Sequence, residues 1–141
     1  PEALASIQSW VVESAVANVR TPILLDVMSP TWLAHTERVD LIYCANMLHV
    51  APWATCTALI AGAARHLAPG GQLVTYGPYL EDGVATSPGN LAFDASLRAE
   101  NPAWGIRRRE DVEAAARQAG LHLAQRHAMP ANNLLLVWAC R

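Results

Sequence analysis

The sequence predicts an α/β fold, a mostly parallel sheet that ends in an antiparallel hairpin, and three observations carry that prediction. Short continuous apolar runs alternate with stretches of helical period; Pro69-Gly70-Gly71 separates one helical stretch from the apolar run after it; and the last two apolar runs, 121–127 and 134–140, are joined only by Met129-Pro130-Ala131-Asn132-Asn133. Parallel neighbours need a crossover of a dozen or more residues, so that short link makes the final pair a hairpin. Strands covered on both faces read as unbroken apolar runs, which is what the earlier ones show.

Taken in order, residues 2–17 place Leu4, Ile7, Val11, Val12 and Ala15 at helical spacing, and Asn18 with Thr21-Pro22 ends the run. Residues 23–27, closing on Asp26, and residues 39–44 read as two strands. Between them, 31–38 is a loop or short helix carrying Trp32. Pro52 and Trp53 open a helix to His66 with Cys56, Leu59, Ile60, Ala63 and Leu67 on one face, and Pro69-Gly70-Gly71 stops it. Residues 72–76 form a third strand; the polar stretch from Gly77-Pro78-Tyr79 to Asn90 is long for a structureless connection, which marks a lid or binding segment. A helix follows over 91–99, and another over 110–119 carries acids in its first turn and stops at Gly120.

Composition narrows the function classes. With 141 residues, 52% of them hydrophobic, residues 1–141 suffice for one domain with its own core. The longest apolar runs, such as 134–139, fall far short of the roughly 20 residues a membrane span needs. A net charge of -2 supplies no basic footprint for nucleic acid. Cys44, Cys56 and Cys140 have no C-x-x-C spacing and lie in apolar segments, as reduced thiols of a cytoplasmic protein do. His122 and His127, five apart on an expected strand, fall on opposite faces, and no Cys or carboxylate set completes a metal site. Arg107, Arg108 and Arg109 precede Glu110, Asp111 and Glu113 and read as a solvated, ion-paired face. No G-x-S-x-G, P-loop or H-E-x-x-H motif is present.

Several segments carry a resemblance. Residues 39–44 run into Asn46-Met47-Leu48-His49-Val50, a helix ends in Leu67-Ala68-Pro69-Gly70-Gly71, and a hairpin closes the chain, as in the Rossmann-like class I methyltransferases. More specifically, five segments in the same order resemble the domain of unknown function 938 family, also called methyltransferase-like 26 proteins: 44–53, Tyr76-Gly77-Pro78-Tyr79, 90–98, Trp104-Gly105 and 129–133. The resemblance implies the seven-stranded methyltransferase sheet and methyl transfer from S-adenosylmethionine to an unidentified small acceptor. The family pattern opens with a strand and a Gly-x-Gly turn for the cofactor, then a second strand ending in an acid for the ribose; neither stands ahead of residue 23 in this sequence, so the competing reading is a non-catalytic fragment without cofactor affinity. The implied strand order, 3-2-1-4-5-7-6, would separate strand 23–27 from strand 39–44 by the two that are missing. Either strand 23–27 then moves in beside 39–44, or a second copy of the chain completes the sheet as a homodimer.

Ligands of open α/β sheets bind beyond the carboxyl ends of the strands, which selects the candidate residues. By position, Asp26, with Val27 after it, matches the family's adenine contact; the alternative is a solvated strand-end acid. Asn46 and Met47 line the cofactor side, and His49 is the general-base candidate or else a loop-holding histidine bonded to a backbone carbonyl. Tyr76, Tyr79, Asn90, Phe93 and Trp104 are placed to surround the acceptor, although Phe93 and Leu97 also have the spacing of a helix core. Asn132 caps the pocket from the hairpin link or simply makes the turn.

Overall fold

The computed structural model describes residues 2–34 and 37–140. Its elements are α1 (Glu2–Glu13), β1 (Val39–Ala45), α2 (Trp53–His66), β2 (Leu67–Leu80), α3 (Pro88–Glu100), β3 (Arg107–Arg108), α4 (Arg109–Gln118), β4 (Leu121–Met129) and β5 (Asn133–Cys140), with 3-10 turns at Leu48–Val50 and Pro130–Asn132. The main sheet has the order β1-β2-β5-β4. β1 is parallel to β2, and β5 is antiparallel to both β2 and β4, so three strands run one way and β5 alone is reversed. The α/β class and the terminal hairpin are therefore as the sequence predicts. The short β3 extends the far end of β2 in parallel, pairing Arg107 with Tyr79.

The core forms where α2 and α4 lie against one sheet face. Leu73 and Thr75 on β2 pair in register with Trp138 and Leu136 on β5, and all four are buried with Cys56, Leu59 and Ile60 of α2 and Val112 and Ala116 of α4. Alternation puts these strand residues on one face, and the three-to-four spacing of the helical ones turns a matching stripe toward them.

Residues 23–27 form no strand, contrary to the sequence expectation. An apolar run becomes a strand only when a neighbour takes its backbone groups. Here the Asp26 carboxylate accepts from the Met28 N–H at 2.9 Å and turns the chain, and Leu24 stays 82% exposed. β1 is accordingly the sheet edge among the described residues, with Leu41 57% and Tyr43 60% exposed. The segment is pinned one turn later. Trp32 stacks on His66 with ring centroids 5.4 Å apart, its indole N–H donates to the Val27 carbonyl, and its ring lies directly over Gly62. A Cβ at Gly62 would fall 2.1 Å from that ring. Gly62→Ala gains about 1 kcal/mol of helix propensity but incurs about 1–3 kcal/mol of overpacking. A lower thermal midpoint and released Trp32 fluorescence are expected.

Other boundaries move for local reasons. α1 stops at Glu13 rather than 17, where Ala15 takes a left-handed φ of 51°. α2 has already ended at His66, and Pro69-Gly70-Gly71 is instead an irregularity inside β2: Val39 pairs with Leu67 but Leu41 with Gln72, and Gly70 has φ 78°. The expected long loop shrinks to 81–87, because β2 continues to Leu80 and Ser87 caps α3 by accepting from the Asn90 N–H. β4 is irregular between Leu123 and Gln125, so His122 pairs with Ala139 and His127 with Leu135. That extra residue puts the two histidines on the same face, correcting the opposite-face expectation.

Glu81 ties three elements together. Arg126 of β4 grips both of its carboxylate oxygens, at 2.8 and 2.5 Å, and Arg109 of α4 adds a third bond at 2.9 Å. Hydrogen bonding from Arg126, foremost, holds this carboxyl below its ordinary range. A depressed folded pKa stabilises above the unfolded value of about 4.3 and loses that contribution as pH falls through the folded value. Glu81→Gln should cost about 1–3 kcal/mol at pH 7, and the gap between its urea midpoint and the wild type's should close below about pH 4.

Candidate functional site

The carboxyl end of β1 turns sharply at Asn46, which adopts a left-handed φ of 54° and donates its N–H to the Tyr76 carbonyl at 2.8 Å. Asn tolerates that conformation better than other side chains, so it can end the strand and still project a polar group there. The 3-10 turn Leu48–Val50 follows and carries His49. Opposite lies Gly77 of β2, with φ 156°, a conformation essentially reserved for glycine. A Cβ at Gly77 would sit 3.5 Å from Asn46 Oδ1 and 3.6 Å from His49 Nδ1. The missing side chain therefore leaves a methyl-sized space on which an amide oxygen and an imidazole nitrogen converge.

His49 is buried, and its ring meets Phe93 edge-on at 5.5 Å. Among the described residues neither ring nitrogen has a hydrogen-bond partner, so the ring is not the loop-holding histidine of the alternative reading. Burial, and then the positive charge of Arg107, lowers its pKa. A neutral imidazole with an unengaged nitrogen is a proton acceptor.

What holds the turn is its backbone. Gly105 N–H donates to the His49 carbonyl at 3.0 Å, and Arg107 donates from Nε to the Leu48 carbonyl and from Nη2 to the Ala51 and Ala103 carbonyls. Asp94 fixes that strap in turn, accepting from the Ile106 N–H at 2.7 Å and from Arg98 Nε at 2.9 Å. Arg107 is thus not part of an ion-paired face, whereas Arg108 and Arg109 are, with Asp82, Asp111, Glu81, Glu110 and Glu113 around them. Sequence reasoning missed Arg107 and Gly105 as positioning residues. A run of three arginines carries no signal of which one will find carbonyls.

The remaining candidates divide. Asn90 Nδ2 donates to the Asn132 carbonyl at 3.1 Å, joining α3 to the hairpin link, where Ala131 and Asn132 are both left-handed. Asn90 and Asn132 line a cavity of about 180 Å³ with Ser87, Met129 and Tyr79. The Tyr79 hydroxyl itself is buried and donates to Thr75 Oγ1 at 2.8 Å. Phe93 is 40% exposed and not core, whereas Leu97 is core. Met47 packs half-buried against the core, Tyr76 is half-buried in β2, and Trp104 is half-buried on the strap. Asp26 is exposed and engaged in its own turn, and the Val27 carbonyl is taken by Trp32. Among the described residues no three His, Cys, Asp or Glu side chains cluster as a metal site, and no helix is long and apolar enough to cross a membrane.

Comparison with solved structures identifies the architecture. The chain matches the mitomycin 7-O-methyltransferase MmcR with a TM-score of 0.83 at 12% identity, over 100% of this chain and 40% of that one. It matches the apo form of the S-adenosylmethionine-dependent methyltransferase SibL with a TM-score of 0.78 at 20% identity, over 99% of this chain and 41% of that one. Human N-acetylserotonin methyltransferase, solved in complex with SAM, gives 0.67 at 15% identity over 82% and 32%. The chain thus spans about a third to about two fifths of these proteins' length, and the likeness establishes a methyltransferase fold. The model of the family described as protein of unknown function, DUF938, matches residues 1–140, and with that match over nearly its whole length the chain belongs to the DUF938 family.

Proposed function

We propose that the site at the ends of β1 and β2 transfers a methyl group from S-adenosylmethionine to a small acceptor whose proton His49 removes. The observation that carries this is the buried, unbonded His49 imidazole facing Asn46 across the space over Gly77. The methyltransferase fold supports it. S-adenosylmethionine, when bound, supplies an electrophilic sulfonium methyl. The residues fit part of that cofactor: Asp26 is exposed with one carboxylate oxygen outside its turn bond, suited to an exocyclic amine, and Asn46, followed by Met47, stands at the strand end beside the methyl-sized space.

In this reading the chain does three things. Asn46 Oδ1 orients the acceptor's X–H by accepting from it. Phe93, whose ring meets that of His49 edge-on, shields that side of the imidazole from bulk water. His49 takes at its unengaged ring nitrogen the acceptor's X–H proton, which methylation of X by a bound S-adenosylmethionine would release. Positioning supplies most of the rate in such a displacement, and the base adds to it.

The second reading, a fragment without cofactor affinity, is favoured by one observation, the open β1 edge with Leu41 and Tyr43 exposed beside it. Calorimetric titration with S-adenosylmethionine separates the two. Heat of binding from this chain supports the first; none, from a chain that unfolds cooperatively in urea, supports the second. The same open edge leads us to propose that this chain, expressed alone, pairs β1 with a second copy. Light scattering should return the mass of two chains, falling to one for Leu41→Lys; a single-chain mass for the unaltered protein ends the idea.

A further inference from the structure

A second cavity, of about 590 Å³, opens between α2, α4 and the strap that joins α3 to β3, and none of Asn46, His49, Gly77 or Asn132 lines it. That volume lies within the range of small-molecule sites. Its wall is apolar at Leu80, Ile106, Ala114 and Ala115 and aromatic at Trp53, and it carries Arg98, Arg107 and Arg108 against a single carboxylate, Asp111.

The three arginines are not equivalent. Arg108 is fully offset, ion-paired with Asp82, Asp111 and Glu110. Arg98 is bonded only through Nε, to Asp94; among the described residues both its terminal amino groups lack a partner. It can lie flat there because Gly105 has no side chain: a Cβ would come within 2.6 Å of the guanidinium carbon. Arg107 meets no carboxylate, only carbonyl oxygens, and its Nη1 has no partner among the described residues. Carbonyl dipoles solvate a cation without neutralising it. Burial lowers the pKa of Arg107, and the charge of Arg98 lowers it further, so an anion between them would relieve both costs. The Arg107 guanidinium lies over the Trp53 ring at 5.9 Å, which makes that wall both flat and cationic.

We infer that this cavity binds a small aromatic carboxylate, with the carboxylate on Arg98 and Arg107 and the ring against Trp53 and Ile106. Paired arginines match a planar carboxylate, and a ring removes apolar wall from water. A bare phosphate would use the charges but leave that wall wet, and Asp111 would repel a dianion. Because Arg107 also holds the Leu48 and Ala51 carbonyls, the ligand sits behind the turn that carries His49. The assignment does not depend on methyl transfer.

Calorimetry with benzoate, benzamide and inorganic phosphate tests it on the chain as it stands. Benzoate should saturate one site at least tenfold more tightly than either benzamide or phosphate. Arg98→Met should weaken benzoate at least tenfold, and Asp111→Asn should tighten it severalfold, a gain that misfolding cannot mimic. Equal binding of benzoate and benzamide removes the charge argument, and equal binding of phosphate removes the aromatic one; either overturns the assignment. So does the absence of benzoate binding, wild-type affinity in a folded Arg98→Met, or no tightening in Asp111→Asn.

Discussion

Thr75→Val, a nearly isosteric change, is expected to destabilise the fold by about 2–6 kcal/mol. Thr75 Oγ1 accepts from the Tyr79 hydroxyl at 2.8 Å and from Trp138 Nε1 at 3.0 Å, with all three side chains buried. Valine keeps the shape and removes the acceptor, leaving two donors unsatisfied in the centre of the sheet face. Each such orphan costs about 1–3 kcal/mol, against a total stability of about 5–15 kcal/mol for a domain. Burial already drives the Tyr79 pKa well above its ordinary value, so ionisation offers no escape. The urea midpoint should fall sharply at unchanged slope. Adding Tyr79→Phe to Thr75→Val should restore part of the loss, because it removes one of the two orphans. A midpoint shift under 1 kcal/mol-equivalent for the single variant would show that the pocket rehydrates.

His49→Gln should lower methyl transfer by about 10²–10⁴-fold, the usual contribution of a positioned base, while leaving S-adenosylmethionine affinity nearly unchanged. Glutamine retains polarity and much of the volume beside Phe93 and Gly77, so the comparison isolates proton acceptance. The pH profile supplies the sign. Because burial and Arg107 lower the His49 pKa below its usual 6.5, the base is already unprotonated at neutrality. The wild-type rate should therefore be flat from about pH 6.5 to 8 and fall only on the acid side, and the acid limb should vanish in His49→Gln. Equal rates for the two proteins across that range would leave positioning as the whole of the catalysis and remove His49 from the chemistry. The same depressed pKa acts on stability: its contribution is complete above about 6.5 and is lost as pH falls through the folded value.

Much of this arrangement is legible in the residues. α2, α4 and the hairpin follow from periodicity and from Gly120 as a stop, and the match of DUF938 over residues 1–140 agrees with the five ordered segments that suggested it. Asn46 and His49 are legible as a strand-end pair because the polypeptide places them one turn apart. Tyr79 was not, since its hydroxyl donates to Thr75 on its own strand, whose Oγ1 also accepts from Trp138 across the sheet, and only that partnership makes it core.

The sequence by itself determined α2, α4, the terminal hairpin and the family, because those depend on period, turn chemistry and ordered motifs along the backbone. Only the tertiary structure decided that 23–27 stays out of the sheet, that an irregularity turns His122 and His127 to one face, and that Arg107 alone of its run meets carbonyls. Each of those outcomes is set by what lies across from a residue. A strand needs a neighbour's amides and a cation needs a facing acceptor, and neither partner is adjacent in sequence.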